Sequence, residues 1–531
     1  MEHVGSLLVA GQLQAPGLYL GSRQQSSVQI GNAAQAQSAY SVVIGDSAVG
    51  EYQRSIAIGY QARGKLGSLD YGWARIAIGD YAQAYNYGIA IGDSAIAQTT
   101  SFVAASEQGL IAIGKGASAG SANPANTYSA IAIGTAAYAS NAYTVALGHS
   151  VRCNGIYSIA IGRIATIDGS PQPQYAIAIG DFARAGKDDA IAIGRQATAI
   201  GSGQAIAIGY QANAAGGSGV AIGYSTSINA AADVGIAIGV GAAVGSSGDY
   251  GTAIGYLANA NNQQAMALGR QASATGNASI AIGYLANASG SFRSIAIGDS
   301  ASAVAYSTCI GSLATSLQLN GIAFGASAYC NGESSVVFGP GARANYGGFT
   351  TANQRAVVLG RSATVDAFKA IAIGEGAAVV VHQPSVPGSV PSDGAITIGS
   401  QSAVWCRSVG SIALGALANV GSLAGGLNDT SYAIAIGAAA LVDHLRAGAI
   451  GNDARSTAND RITIGLCGGS ASQIKALQVS GGFGMAGVNP TSQLAHIPNP
   501  SGVSIDNDAE ARSAINSILS ALEAMGLLAT S

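Results

Sequence analysis

The tetrapeptide I/V-x-I/L/F-G recurs from Val28-Gln29-Ile30-Gly31 to Ile462-Thr463-Ile464-Gly465, and no other feature restricts the fold so severely. Counting variants such as Thr308-Cys309-Ile310-Gly311, there are 28 copies, and 13 of the 27 intervals between their glycines are 14 residues long. Seven more intervals lie between 13 and 16, while the other seven, from 18 to 25, behave as insertions into the same unit. A short fixed period marks an architecture in which each unit stacks on the next. Ile-Ala-Ile alternates with period two, so its branched residues share one face of a strand and Ala takes the other. A second short alternation follows each Gly, as in Gln61-Ala62 after Gly59 or Ser47-Ala48-Val49-Gly50 after Gly45. One coil therefore holds two short strands and two tight turns, and it has no room for the helices of an α-solenoid.

A unit this small cannot bury its apolar pair alone, but stacking coils at about 4.8 Å pairs like strands in parallel and builds a continuous core. The expected fold is an all-β parallel roll of about 28 coils. In this reading the Ile pair forms the core. The intervening Ala residues form an outward, flat apolar strip of a kind monomers avoid exposing, and subunits pack on it.

Composition narrows the class further. Of 531 residues only 23 are basic and 26 acidic, or 9% charged, and 76 are Gly. No G-X-Y triplet runs through the chain, which excludes collagen, and 49% hydrophobic content with little charge excludes intrinsic disorder. A net charge of -3 without any Lys/Arg run offers no footprint for nucleic acid. Met1 to Gly21 lacks the pattern of an export signal, and no window is apolar enough for a membrane span, so neither export nor membrane insertion is expected. Cys153, Cys309, Cys330, Cys406 and Cys467 are widely spaced with no C-x-x-C pair, and read as reduced filler in a chain made in a cytoplasm.

Catalytic patterns are matched only in spelling. Gly482-Phe483-Gly484-Met485-Ala486-Gly487 fits the dinucleotide fingerprint, but Val488-Asn489-Pro490 follows where a helix is needed. Gly116-Ala117-Ser118-Ala119-Gly120 fits a nucleophile elbow without a neighbouring His. His3, His149, His382, His444 and His496 are too scattered for a metal pair, although a site shared across a three-fold axis would escape sequence spacing. Asp46, Asp80, Asp93, Asp181 and Asp299 each follow a motif Gly, but Tyr60, Arg163, Arg195, Tyr210, Arg270 and Arg361 hold the same position, so the column reads as an exposed mixed ladder rather than a calcium site. Arg163, Asp181 and Arg195 fall on consecutive coils and are expected to form an inter-coil charge ladder. No catalytic, metal or cofactor-binding residue is expected, no cofactor is called for, and the chain reads as a non-enzyme.

Tyr52, Tyr60, Tyr71, Trp73, Tyr81, Tyr85 and Tyr87 crowd around one insertion and are the candidate receptor-contact aromatics. Their alternative role is to shield the edge of a thin roll with the hydroxyls in water. Near the end of the chain, Asn507 with Glu510 forms a capping box, Gly526 a stop, and Ala511, Ile515, Ile518, Leu522 and Met525 a heptad seam. So short a helix needs partners, and trimerisation along this seam is expected to provide them, the alternative being a single helix packed on its own chain.

The motif Ser55-Ile56-Ala57-Ile58-Gly59, repeated at Ser158-Ile159-Ala160-Ile161-Gly162 and Ser294-Ile295-Ala296-Ile297-Gly298, resembles the head repeat of trimeric autotransporter adhesins. That resemblance implies a left-handed parallel β-roll solenoid assembled as a homotrimer. The run from Gly481 to Pro490, with Ala495-His496-Ile497-Pro498 and the segment Asp508 to Asn516, is similar to the terminal segment of tailed-phage tail fibre and appendage proteins. Four parts follow: an N-terminal attachment or cap segment, 1–26; a β-roll shaft, 27–468; a glycine-rich neck, 469–505; and a C-terminal trimerisation helix and tail, 506–531. Together the resemblances imply a virion structural protein, a homotrimeric fibre or appendage on the phage particle surface, synthesised in the host cytoplasm. Its expected partners are itself, baseplate, tail or capsid proteins, and a host surface glycan or protein. The alternative is a bacterial surface adhesin of trimeric autotransporter type lacking its own signal and anchor.

Overall fold

The computed structural model describes residues 27–465, apart from 52, 65–73, 86, 99–108, 121–128, 345–354, 381–392, 406–407, 422–429 and 457. Within them 55 strands alternate between two parallel sheets. Each of the 28 motifs forms a strand of the first sheet, mostly of three residues. A strand of two residues, belonging to the second sheet, lies between each motif strand and the next. Successive coils pair in one register throughout, as in Ile177↔Ile191, Ala178↔Ala192 and Ile179↔Ile193 of the first sheet and Arg184↔Thr198 and Ala185↔Ala199 of the second. This is a parallel β-solenoid of about 27 turns, with no helix among the described residues. The neck and the closing helix, including Ala511, Ile515, Ile518, Leu522 and Met525, lie outside those residues, as does the segment 1–26.

The orientation of the motif is the reverse of the sequence expectation. Ala190, Ala192, Ala197 and Ala199 of one coil are all 0% exposed, whereas Ile191 and Ile193 point outward and stay half-exposed. Alternation alone cannot say which face is inside, and volume decides it. The four-residue turn after each motif Gly, closed by bonds such as Ala197 N to Gly194 O at 3.2 Å, keeps the two sheets close, so that most coils place Ala on both inner faces and only a few, such as the one with Val358 and Val365, set branched side chains there.

At several positions where the interior admits a larger residue, a neighbour is glycine. Val43 faces Gly50, where an added Cβ would sit 2.7 Å from Val43 Cγ2. Ile228 lies against Gly219 and Gly235, with an added Cβ at 2.9 Å from its Cδ1 and 3.0 Å from its Cγ2, respectively. The motif glycines answer a different need. Gly59 has φ +132°, and a Cβ there would lie 2.5 Å from the carbonyl C and O of Gly79 in the next coil. Only glycine allows both that backbone and that approach.

The Ser of the motif is also inward-facing and completely buried at Ser158, Ser335 and Ser411. Its hydroxyl accepts the backbone N–H of the following coil, from Ala176, Ala356 and Ala433, at 3.0 Å each. A buried hydroxyl left unpaired would be destabilising, and this placement turns it into a cross-coil tie.

Insertions do not disturb the stacking. Strands on either side of 65–73 pair directly, Ile56↔Ile76, as do those flanking 381–392, Ile371↔Ile396. The complementary interior gives a testable expectation. Gly219→Ala should cost about 1–3 kcal/mol by overpacking, and should cost nearly nothing in an Ile228→Ala background. Denaturant unfolding of the two single variants and the double variant measures that coupling, and additive costs would contradict the packing described.

Candidate functional site

Among the described residues no three His, Cys, Asp or Glu side chains gather as metal ligands, and no helix is long and apolar enough to cross a membrane. Ser118 sits in an ordinary second-sheet strand between Ile96 and Tyr138. The glycine fingerprint at 482–487 lies outside the described residues. Cys153, Cys309 and Cys330 replace inward Ala, and burial pushes their thiols up to about 12, 12 and 11. Such thiols are not thiolates at neutral pH. Cys406 and Cys467 are not described.

The surfaces differ sharply in character. On the second sheet one side chain per coil points out, and over seven successive coils these are Thr166, Arg184, Thr198, Asn213, Ser227, Ala243 and Asn259. On the first sheet two side chains per coil point out, and nearly all are Ile, Val, Leu or Phe. Ile159, Ile236 and Ile322 are each 37% exposed, and Phe324 stacks on Phe338 with ring centres 4.7 Å apart. Two columns about 7 Å apart along roughly 130 Å make a plane on the order of 900 Å². The largest apolar patch of a typical monomer is about 300–600 Å². The exposed apolar face is therefore built from the Ile residues, where Ala had been expected.

The turn after each motif Gly forms the ladder edge. Its columns are held by backbone bonds from coil to coil, such as Phe182 N to Arg163 O, Gln196 N to Asp181 O and Gln211 N to Arg195 O, at 2.9, 2.8 and 2.9 Å. Arg163 pairs with Asp181 at 2.9 Å and lies over the Phe182 ring at 4.8 Å. Arg195 is placed in the same column but lies over the Tyr210 ring at 4.2 Å. The structure thus gives Asp181 one arginine partner by ion pairing, and the second arginine is drawn to an aromatic face. Other ion pairs, Lys115–Asp93 at 3.3 Å, Arg184–Asp168 at 3.2 Å, Arg446–Asp460 at 2.7 Å and Arg361–Glu375, also join consecutive coils. Hydrogen bonds from Ser94 and Lys115 hold the exposed Asp93 carboxyl below its ordinary range.

The Asp residues that follow motif glycines have a structural role. Asp46 Oδ1 accepts the backbone N–H of Asn32 at 3.0 Å, and Asp80 Oδ1 that of Tyr60 at 2.8 Å. These N–H groups point toward the next coil at the turn, and a short carboxylate there reaches them. The opposite turn repeats the device, with Asp188 accepting from Gln174 and Asp249 from Asp233.

Of the candidate receptor-contact aromatics, Tyr52, Tyr71 and Trp73 lie outside the described residues. Tyr60 and Tyr81 are exposed and meet edge to face at 5.3 Å, Tyr85 is buried, and Tyr87 is half-buried. Sequence proximity did not reveal the more regular aromatic groups, because their members are a coil apart. Tyr143, Tyr157 and Tyr175 stack at 4.9 and 5.1 Å in the turn before the motif strand. Writing the sequence in coil register, one row per motif Gly, would have aligned them.

With this geometry in view, a family model described as the YadA head domain repeat (2 copies) matches residues 128–150, 174–197, 204–226, 246–272 and 274–301. No curated protein matches the chain. The chain carries YadA head repeats, of the trimeric autotransporter adhesin type, on a β-solenoid, and such repeats point to an adhesin-type trimeric surface protein.

Exposed ion pairs contribute little individually. Asp181→Asn should therefore change stability by less than about 1 kcal/mol and leave the circular dichroism spectrum unaltered. A loss of several kcal/mol in chemical denaturation would show that the ladder edge bears far more of the fold than its exposure implies.

Proposed function

We propose that this chain is the subunit of a homotrimeric fibre or appendage of a tailed phage, serving host attachment or adhesion. The observation that carries the reading is the long Ile face on one sheet opposite a polar column on the other. An apolar plane of that size is stable in water only when covered, and identical columns on identical chains are matched to cover one another. The phage assignment rests on the resemblance of the segment from Gly481 to Asn516, and the YadA-type repeats fit a bacterial surface adhesin equally well. In the favoured reading the protein is a non-enzymatic virion component at the particle surface. It is joined to baseplate, tail or capsid proteins and touches a host glycan or protein. The trimerisation helix over 506–531 belongs to the same proposal.

Sedimentation should give three times the chain mass of 52.1 kDa, and scattering a narrow rod of at least about 130 Å. Ile191→Ser combined with Ile206→Ser, both outward on adjacent coils, should weaken the assembly while each coil stays paired. A compact wild-type monomer would overturn the trimer. Antibody labelling of phage particles and of bacterial cells separates the two biological settings.

Attachment is assigned to the insertions, since coil columns must repeat while inserted residues are free to vary. Trimming the insertion within 65–73 to standard coil length, with the paired Arg63–Gly64 strand kept, should leave a folded trimer with an unchanged melting curve and alter adsorption to host cells. If trimming every insertion and deleting the tip all leave adsorption unchanged, the chain is a passive spacer.

A further inference from the structure

The ladder edge holds a stretch whose composition departs from the rest of the shaft. From Arg195 to Tyr284 the residues after successive motif glycines are Arg195, Tyr210, Tyr224, Val240, Tyr256, Arg270 and Tyr284, with no carboxylate in the column. Seven coils place these side chains along about 30 Å of the edge. Arg195 lies 4.2 Å from the Tyr210 ring centre, and the Tyr210 and Tyr224 rings are 5.1 Å apart and tilted by 31°. Arg270 is set between Tyr256 and Tyr284, at 5.8 and 5.1 Å. Tyr224, Tyr256 and Tyr284 are exposed. Beside the rings runs an amide and hydroxyl row, in which Gln211 Nε2 donates to Gln196 Oε1 at 3.1 Å and Ser225 Oγ donates to Gln211 Oε1 at 3.4 Å.

A guanidinium stacked on a ring uses its face and keeps its edge donors for another acceptor. Neither Arg195 nor Arg270 forms an ion pair with a carboxylate among the described residues, unlike Arg163, Arg184, Arg361 and Arg446. The edge thus presents fixed cationic forks, tilted aromatic faces and hydrogen-bonding amides at the spacing of one coil. We propose that it binds a linear acidic polysaccharide lying along the solenoid axis. Sugar carboxylates would meet Arg195 and Arg270, the apolar faces of the sugar rings would meet the tyrosines, and hydroxyls would meet the Gln row. This rests on the attachment reading and names its ligand class, now on the shaft itself as well as the insertions. Nucleic acid suits the edge less well, because two unpaired arginines over seven coils in a chain of net charge -3 do not track a phosphate backbone.

The test uses the full chain with three probes: polygalacturonate, neutral dextran and single-stranded DNA. Polygalacturonate should bind, weaken as salt rises, and exceed dextran and DNA by about tenfold or more. Arg195→Ala with Arg270→Ala should lower that binding about tenfold without changing melting or sedimentation. Arg195→Lys should lower it by a smaller factor, since Lys keeps the charge and loses the planar fork. Equal binding of dextran, stronger binding of DNA, or an unaffected double variant would overturn the proposal. So would a change in sedimented mass in that variant, which would make the edge a contact between copies. If the wild-type protein adsorbs to host cells yet binds none of the three polymers, this inference fails and the attachment reading stands.

Discussion

The narrow gap between the two sheets of each coil governs the rest of the molecule. The four-residue turns keep the sheets so close that most inward positions take Ala, and several of the larger inward residues, Val43, Ile167, Ile228 and Val244, have a Gly next to them. With so little side-chain volume in the core, cohesion falls to the backbone ladder and to small cross-coil ties. The buried hydroxyls of Ser158, Ser335 and Ser411 and the carboxylates of Asp46 and Asp80 at the turns all accept N–H groups from the neighbouring coil. The motif glycines complete this scheme, because each permits the carbonyl of the next coil to approach where any Cβ would collide.

The same constraint links fold to function. Large apolar side chains excluded from the interior must face outward, and the strand period puts them all on one sheet. The second sheet exposes only one column, and that column is polar for long stretches. The roll is thus a two-faced rod, apolar on the outer side of one sheet and largely polar on the other. Because pairing is strictly from coil to coil, neighbouring strands keep their register across insertions of very different length. A surface that repeats every coil can present arginine and tyrosine in long columns, which single loops of a globular domain cannot do.

Much of this was legible in the chain, and the limits were specific. All 28 motif strands and the parallel coil register follow from spacing, because a 14-residue period of alternating residues has few other solutions. The Arg163–Asp181 pair follows from the same alignment. The diversion of Arg195 to Tyr210 does not, since a ring at the same column position of the following coil competes with the Asp181 carboxylate only once side chains have positions. The aromatic cluster near residue 60 was conspicuous by sequence density. The Tyr143, Tyr157 and Tyr175 stack was hidden, because its members are 14 and 18 residues apart.

The sequence by itself determined that the chain is a stack of short parallel strands, where the coils fall, and which residues share a face. Tertiary structure alone decided which face is inside. Period two is symmetric between Ile-in and Ala-in, and hydrophobicity favours Ile. The tie is broken by the depth available between two sheets joined by four-residue turns, a quantity that exists only when both sheets are in place. That depth mostly admits methyl groups and hydroxyls, with an occasional Val or Ile, and leaves the isoleucines of the motif on the outward face.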